Sequence, residues 1–358
     1  MDTPDLVADI GGTNARFALT DDDGALQHVH VLRCAMYPTL VDAVHAYLQR
    51  ALPPRTDANA DDRIWPRRAA LAVATPVVAD HVDMTNHVWS FSIAATRRAL
   101  GLDALTVVND FTAQALSLLA LGADDLRPLY APSGPSSGDD PAATAGGQSA
   151  PVAAPPRAIL GAGTGLGVSA LISAGDDRYT ALETEGGHRS MAPANEREWA
   201  IHQHLFARYG HVSCERLLSG PGLLHLLEAI CAIDGVAPAA DDPPEIVERA
   251  ADGTCPRCAE TVRVFSGQLG SVAGDLALTL GARGGVYVAG GIVPKMGATF
   301  DTAAFRARFL SKGRFRDYVA RIPVHLVIHE QPGLLGAVQA LHRGRAGRRA
   351  VAPEGTAR

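Results

Sequence analysis

Two glycine-centred hairpins set the terms for any fold of this chain. An apolar run, Leu6-Val7-Ala8-Asp9-Ile10, meets Gly11-Gly12-Thr13-Asn14, and Ala15-Arg16-Phe17-Ala18-Leu19 leads away with alternating polarity. This pattern predicts strand, tight turn, strand. The turn holds a carboxylate (Asp9), two residues able to take positive φ (Gly11, Gly12), a hydroxyl (Thr13) and an amide (Asn14). Glycines there let backbone N–H groups converge on one small concavity, which suits a phosphate. A carboxylate beside phosphate oxygens makes sense only with a cation such as Mg2+ between them. Taken alone, the segment fits equally an ordinary hairpin whose glycines merely satisfy turn geometry, since short motifs match by chance.

A second copy shifts the balance. Ala158-Ile159-Leu160-Gly161-Ala162-Gly163-Thr164-Gly165-Leu166-Gly167-Val168-Ser169-Ala170-Leu171 is again apolar run, glycine turn with threonine, apolar run. Gly163-Thr164 parallels Gly12-Thr13, and Val168 to Leu171 parallels Phe17 to Leu19. Two such hairpins point to a duplicated domain whose halves grip opposite ends of one phosphate chain. Rival phosphate motifs fail on spacing. No Gly-x4-Gly-Lys-Ser/Thr occurs, which excludes a P-loop. Gly161 to Gly167 lacks the Gly-x-Gly-x-x-Gly spacing and leads into a strand rather than a helix, against a dinucleotide fold.

Composition narrows the class. A chain of 358 residues, 47% hydrophobic and 20% charged, has core enough for two domains. A formal net charge of −6 argues against non-specific nucleic-acid binding. No apolar stretch approaches the ~18 residues of a membrane-spanning helix. The acidic start Met1-Asp2-Thr3-Pro4-Asp5 runs straight into a strand, unlike a signal peptide, and five cysteines suit a reducing cytoplasm.

Along the chain, Pro38 to Leu48 has helical spacing, Arg68 to Ala74 reads as a buried strand, and Ser92 is placed to cap a helix through Leu100, stopped by Gly101. Thr85-Asn86-His87 is a polar cluster able to face a ligand. Leu105 to Val108 is a β-branched strand, and a helix starts at once from Asn109-Asp110. Ligands of α/β sheets gather at strand carboxyl ends, where Asp110 is suited to act as a catalytic carboxylate. The competing role is an Asn/Asp helix cap, and the two are compatible.

Residues 131 to 156 are almost wholly Pro, Ser, Gly, Ala and Asp, a low-complexity insert. Its Gly134-Pro135-Ser136-Ser137-Gly138 matches the nucleophile-elbow pattern only formally, without a strand before or a helix after. Glu185-Gly186-Gly187-His188 offers an acid and an imidazole to a polyhydroxylated ligand; a surface turn is the plain alternative, and the glycines argue against the helical phasing of a metal-binding Glu-x-x-His. Glu215 follows a potential Ser213 cap and serves either that helix or the site. Cys255-Pro256-Arg257-Cys258 lacks partners at zinc spacing and is read as structural or incidental. Val262 to Leu280 reads as a long helix with a small-residue face. Gly284 to Pro294 is strand then glycine turn, a platform for an adenine ring, with Gly290-Gly291 at its bend. Pro323 to Ile328 is a strand, Gly333 to Leu341 a closing helix, and the Arg/Gly/Ala-rich tail beyond Arg343 is expected to be disordered.

Taken in order, the Asp9 hairpin, Asn109-Asp110, Gly161 to Gly167, Glu185-Gly186-Gly187-His188, Glu215 and Gly290-Gly291 resemble the proteobacterial-type glucokinases. Thr85 to Phe91 and Ser219-Gly220-Pro221-Gly222 look like that family too, and the similarity spans roughly Leu6 to Leu341 outside the insert. The resemblance implies an actin-like, duplicated ribonuclease-H-like α/β fold with two domains around a central cleft. The smaller domain would comprise residues 1–120 plus 330–345 and the larger 121–329, followed by a disordered tail at 346–358. It further implies ATP- and Mg2+-dependent phosphorylation of the glucose 6-hydroxyl by a cytoplasmic homodimer. Residue by residue, Asp110 resembles the general base, and Asn109, Asp110, Glu185, His188 and Glu215 the glucose ligands. Asp9, Ile10, Gly11, Gly12, Thr13 and Asn14 resemble the first phosphate loop, with Asp9 reaching Mg2+ through water. Gly163, Thr164 and Gly165 resemble the second loop, and Gly290 and Gly291 lie near adenosine. Three alternatives stand beside this reading: a kinase for another hexose, a non-catalytic sugar sensor, and a filament-forming ATPase. The sensor would need a helix-turn-helix that the few residues before Leu6 do not supply, and the filament has no use for a sugar cage.

Overall fold

The computed structural model describes residues 3–21, 23–52, 65–84, 89–132, 153–175 and 178–349. Thr85-Asn86-His87 and residues 133–152 of the insert, the formal elbow included, lie outside the described residues. The chain divides into two compact units, Met1–Leu121 with His329–Arg358, and Gly122–Ile328.

In the first unit, β1 (Asp5–Ile10) and β2 (Asn14–Thr20) pair antiparallel about the glycine turn, with Ile10 opposite Ala15. β3 (Leu26–Arg33) extends the sheet beyond β2. Thr39 starts α1 (Leu40–Ala51): its hydroxyl accepts from Asp42 N, and the Asp42 carboxylate accepts from Thr39 N, a reciprocal cap. The helix lays Tyr47 against Phe17 of the sheet, ring centres 5.3 Å apart and both side chains fully buried. Such burial stabilises by roughly 1.5–3 kcal/mol per large side chain. β4 (Arg68–Val73) and the short hairpin β5 (His81–Asp83) and β6 (Ser90–Ser92) follow. Ser92 caps α2 (Ile93–Ala99) through Ala95 N at 3.0 Å, as its position predicted. β7 (Ala104–Asn109) runs directly into α3 (Asp110–Ser117). Sheet order is β3-β2-β1-β4-β7, with β1, β4 and β7 parallel.

The second unit holds β8 (Leu126–Tyr130), β9 (Arg157–Ala162), β10 (Leu166–Gly175) and β11 (Arg178–Ala181). Next come α4 (Glu196–Tyr209), α5 (Cys214–Leu217), α6 (Gly220–Asp234), α7 (Pro243–Ala251) and α8 (Pro256–Leu280). β12 (Val286–Ala289), α9 (Ile292–Met296), α10 (Thr302–Leu310), α11 (Arg316–Val319) and β13 (Val324–Val327) complete it. Its sheet runs β11-β10-β9-β12-β13-β8. The first five strands repeat the order and directions of the first sheet, two antiparallel pairings followed by two parallel ones, and β8 closes the far edge antiparallel. The duplication expected from the two hairpins is thus present in the whole topology, and the fold is the actin-like, duplicated α/β type.

Two helices differ from their sequence expectation. α8 begins at Pro256, six residues before Val262, because the Cys255 thiol accepts from Cys258 N at 3.2 Å and proline suits the first helical position. The Cys-x-x-Cys therefore acts as a helix start. Burial, with Cys255 alongside, pushes the Cys258 thiol up to about 12, so it stays protonated at neutral pH. The described residues contain no cluster of three or more His, Cys, Asp or Glu able to hold a metal. The second is α12 (Pro332–Arg349), which continues through the stretch expected to be disordered beyond Arg343. Alanine and arginine are good helix formers, and isolated glycines cost only about 1 kcal/mol each. Residues 350–358 of that tail lie outside the described residues.

α12 packs on α3, β4 and β1, which brings the chain end back to the first unit. Gly336 permits this approach, because a Cβ there would overlap the Ala113 carbonyl of α3. Gly336→Ala should force the helices apart and cost about 1–3 kcal/mol, the usual range for overpacking. That loss lowers the melting midpoint by roughly 2–4 °C per kcal/mol, measurable by calorimetry.

Candidate active site

Parallel strands β1, β4 and β7 finish on one edge of the first sheet, and their register lines up the polar groups there. Asp9 pairs with Ala72, and Val73 with Asn109. Asp9 and Asn109-Asp110 therefore stand two strand spacings apart, on the order of 10 Å.

The Asp9 carboxylate is half-buried and faces its cross-strand partner Arg16, Nη1 to Oδ2 3.7 Å, while Gly333 of α12 packs against it. Burial pushes its carboxyl up, and the guanidinium pulls it partly back. The side chain of Ile10 is fully buried, so only its backbone can serve a ligand. Gly11 N donates to Asn14 O at 3.0 Å and closes the turn, while the N–H groups of Gly12 and Thr13 have no acceptor among the described residues. Cys34 supports the turn from behind: its N donates to Thr13 O at 2.9 Å and its thiol to Gly11 O at 3.6 Å. Burial raises the Cys34 thiol and keeps it a donor. No local sequence signal marks Cys34, because its contact spans more than twenty residues.

The second hairpin has the same construction. Gly163 N donates to Gly165 O at 2.8 Å, and the N–H groups of Thr164 and Gly165 have no acceptor among the described residues. Gly220 N, at the start of α6, donates to Gly163 O at 2.9 Å. Beside it, β12 pairs with β9 so that Ala289 meets Gly161, and Gly290 follows with φ +80. A Cβ on Gly290 would overlap Ala162, and Gly291 precedes α9. Two backbone nests with unpaired N–H groups suit phosphate oxygens. Asp9 belongs to no cluster of three or more His, Cys, Asp or Glu among the described residues, so a divalent cation there would need most of its ligands from water and from a bound phosphate.

Asn109 and Asp110 divide the two roles that the sequence leaves open. Asn109 is the N-cap of α3: its Oδ1 accepts from Phe111 N at 2.9 Å and Thr112 N at 3.2 Å. Asp110 is the first helical residue, and its Oδ1 accepts from Asn109 Nδ2 at 3.0 Å and Phe111 N at 2.9 Å. These bonds hold the carboxylate in one orientation at the strand's carboxyl end.

In the second unit, Glu185 and His188 bracket a 3₁₀ turn, Gly186–His188, with His188 N donating to Glu185 O at 3.0 Å. The glycine pair argues against helical phasing; the tight turn nevertheless brings residues three apart onto one side. Both side chains are exposed. Thr184 anchors the turn through its hydroxyl to Val168 O at 2.7 Å. Glu215 lies in the first turn of α5, capped by Ser213, as its spacing predicted. Its Oε1 is 3.8 Å from His188 Nε2, and its Oε2 accepts from Leu166 N at 2.9 Å.

Duplicated sheets of this order, each opening on a phosphate-type hairpin, with a strand-end aspartate and an acid–imidazole cluster, define a sugar kinase of the actin-like class. Comparison with known proteins sharpens this. A family model for glucokinase matches residues 6–344. Glucokinase of Aromatoleum aromaticum is 48% identical over 96% of both chains, and that of Neisseria meningitidis 46% over 94% of both. The crystal structure of a glucokinase from an Antarctic psychrotroph superposes with a TM-score of 0.79 at 34% identity, covering 96% of this chain and 100% of that one. The chain belongs to the glucokinase family.

The division between cap and carboxylate is open to measurement. Asn109→Ala should lower stability by about 1 kcal/mol, the usual loss of a side-chain N-cap. Asp110→Asn should cost less, because only the favourable charge at the helix start is lost. Chemical denaturation of the two variants compares them directly.

Proposed function

We propose that this chain transfers the γ-phosphoryl group of ATP to the 6-hydroxyl of D-glucose, yielding glucose 6-phosphate and ADP, with Asp110 as general base. The observation that carries the assignment is the geometry at the end of β7: Asn109 takes the cap, and Asp110 is oriented without having to terminate the helix. The family membership supports glucose as the acceptor.

Phosphoryl transfer leaves the protein little covalent work, so alignment and charge neutralisation dominate. Asp110 accepts the proton of the attacking hydroxyl. Asn109, Glu185, His188 and Glu215 bind the remaining hydroxyls; a carboxylate with both oxygens free, such as Glu185, can accept from two neighbouring hydroxyls, and an epimer leaves one of those acceptors unpaired. The Gly11–Thr13 and Gly163–Gly165 nests receive phosphate oxygens, and Gly290-Gly291 borders the adenosine. Asp9 would hold Mg2+ through water, and the ion would supply charge neutralisation on the transferred group. The same reading makes the protein a cytoplasmic enzyme at the entry to glycolysis: all five cysteines are unpaired thiols, as suits a reducing compartment. The homodimer belongs to this proposal on the strength of the family resemblance.

Asp110→Ala should lower kcat by about 10²–10⁴-fold while glucose binding survives; more than a tenth of wild-type kcat would remove Asp110 from the role of base. A coupled assay of ADP release with glucose, mannose, fructose and no sugar tests the acceptor. Glucose-dependent release is expected. Release without sugar would favour a filament ATPase, and no release a sensor.

A further inference from the structure

Glu215 touches both halves of the second unit's chemistry. One oxygen, Oε1, lies 3.8 Å from the His188 imidazole in the sugar turn. The other, Oε2, accepts the backbone N–H of Leu166, the first residue after the Gly163–Gly165 turn. Gly165 itself is in contact with that carboxylate: a Cβ on Gly165 would fall on Oε2. The backbone around Glu215 is tied down as well. Ser219 Oγ donates to Glu215 O at 2.8 Å and accepts from Gly222 N at 3.0 Å, and Gly220 N donates to Gly163 O. The α5–α6 corner is therefore bonded to the phosphate hairpin twice, once through backbone and once through the Glu215 side chain.

We propose that Glu215 is a tie between the second phosphate hairpin and the sugar turn, and that Gly165 and the Leu166 N–H are positioning elements that set glucose affinity. This rests on the reading of Glu215 as a glucose ligand and of the hairpin as a phosphate cradle. The carboxylate has two oxygens and uses one to hold the hairpin, which leaves the other to meet a sugar hydroxyl beside His188. A hydrogen bond to a charged acceptor is short and directional, so a shift of the hairpin moves the carboxylate. Gly165, which motif reading assigns to phosphate alone, becomes a determinant of the sugar site because a Cβ there would push the Glu215 carboxylate out of the position in which it meets Leu166 N.

The test is glucose binding by calorimetry with no nucleotide present, where a residue serving phosphate alone is silent. Gly165→Ala should weaken glucose by about tenfold or more, the scale of one charge-assisted hydrogen bond lost. Gly163→Ala, whose Cβ meets nothing within 4 Å, should weaken a non-hydrolysable ATP analogue and spare glucose. Glu215 carries the reciprocal measurement and serves if Gly165→Ala does not fold. Glu215→Ala should weaken the ATP analogue without sugar present, whereas Glu215→Gln, which keeps an acceptor for Leu166 N, should not. Wild-type glucose affinity in Gly165→Ala, or equal analogue affinity in Glu215→Ala and Glu215→Gln, overturns the tie and leaves the kinase reading intact. A wild-type protein that binds no glucose overturns the kinase reading and the tie together.

Discussion

Two tight turns each hold a pair of backbone N–H groups that no acceptor among the described residues takes, and these groups remain open to solvent or to a ligand. Gly12, Thr13, Thr164 and Gly165 carry donors with no acceptor among the described residues. Each turn is closed by one hydrogen bond and then fixed from outside, the first by Cys34, the second by Gly220. Donors converging on one concavity and kept in place by such bracing suit an anion, which can take the place of the water that otherwise meets them. The sheets, the α12 return and the Gly290 approach all keep those turns where they are. The half-buried Asp9 is held by charge as well: its cross-strand partner Arg16 meets it at 3.7 Å.

The carboxylates show how one chemical group is given three tasks by its surroundings. Asp9 is packed under Gly333 and pushed up by burial. Asp110 is oriented by an amide beside it and its own helix start. Glu215 spans from a backbone N–H to an imidazole. None of these differences lies in the carboxylate itself. Each is set by which backbone donors and which charges the fold brings near.

Much of this is legible in the amino-acid sequence. Hairpin strands, the Ser92 and Ser213 caps and the β7–α3 junction follow from spacing and from residues whose conformational preference is local. The exceptions fall where composition misleads about local preference. The Arg/Gly/Ala stretch beyond Arg343 reads as disorder, yet its good helix formers continue α12 to Arg349 once the preceding turns are packed. Gly186-Gly187 reads as a break, yet the segment anchored by Thr184 closes a 3₁₀ turn. The Cys255 cap lengthens α8 because a thiol in the cap position takes the part usually given to serine.

The sequence by itself determined the duplicated hairpins, the identity of the chemical groups and their order along the chain, because turns and caps are decided within a few residues. Only the tertiary structure decided that Cys34 braces the first turn and that Glu215 reaches Leu166 N across a gap of nearly fifty residues. Those outcomes depend on sheet register and on close approach between distant segments. Neither is encoded in any window short enough to be read as a pattern.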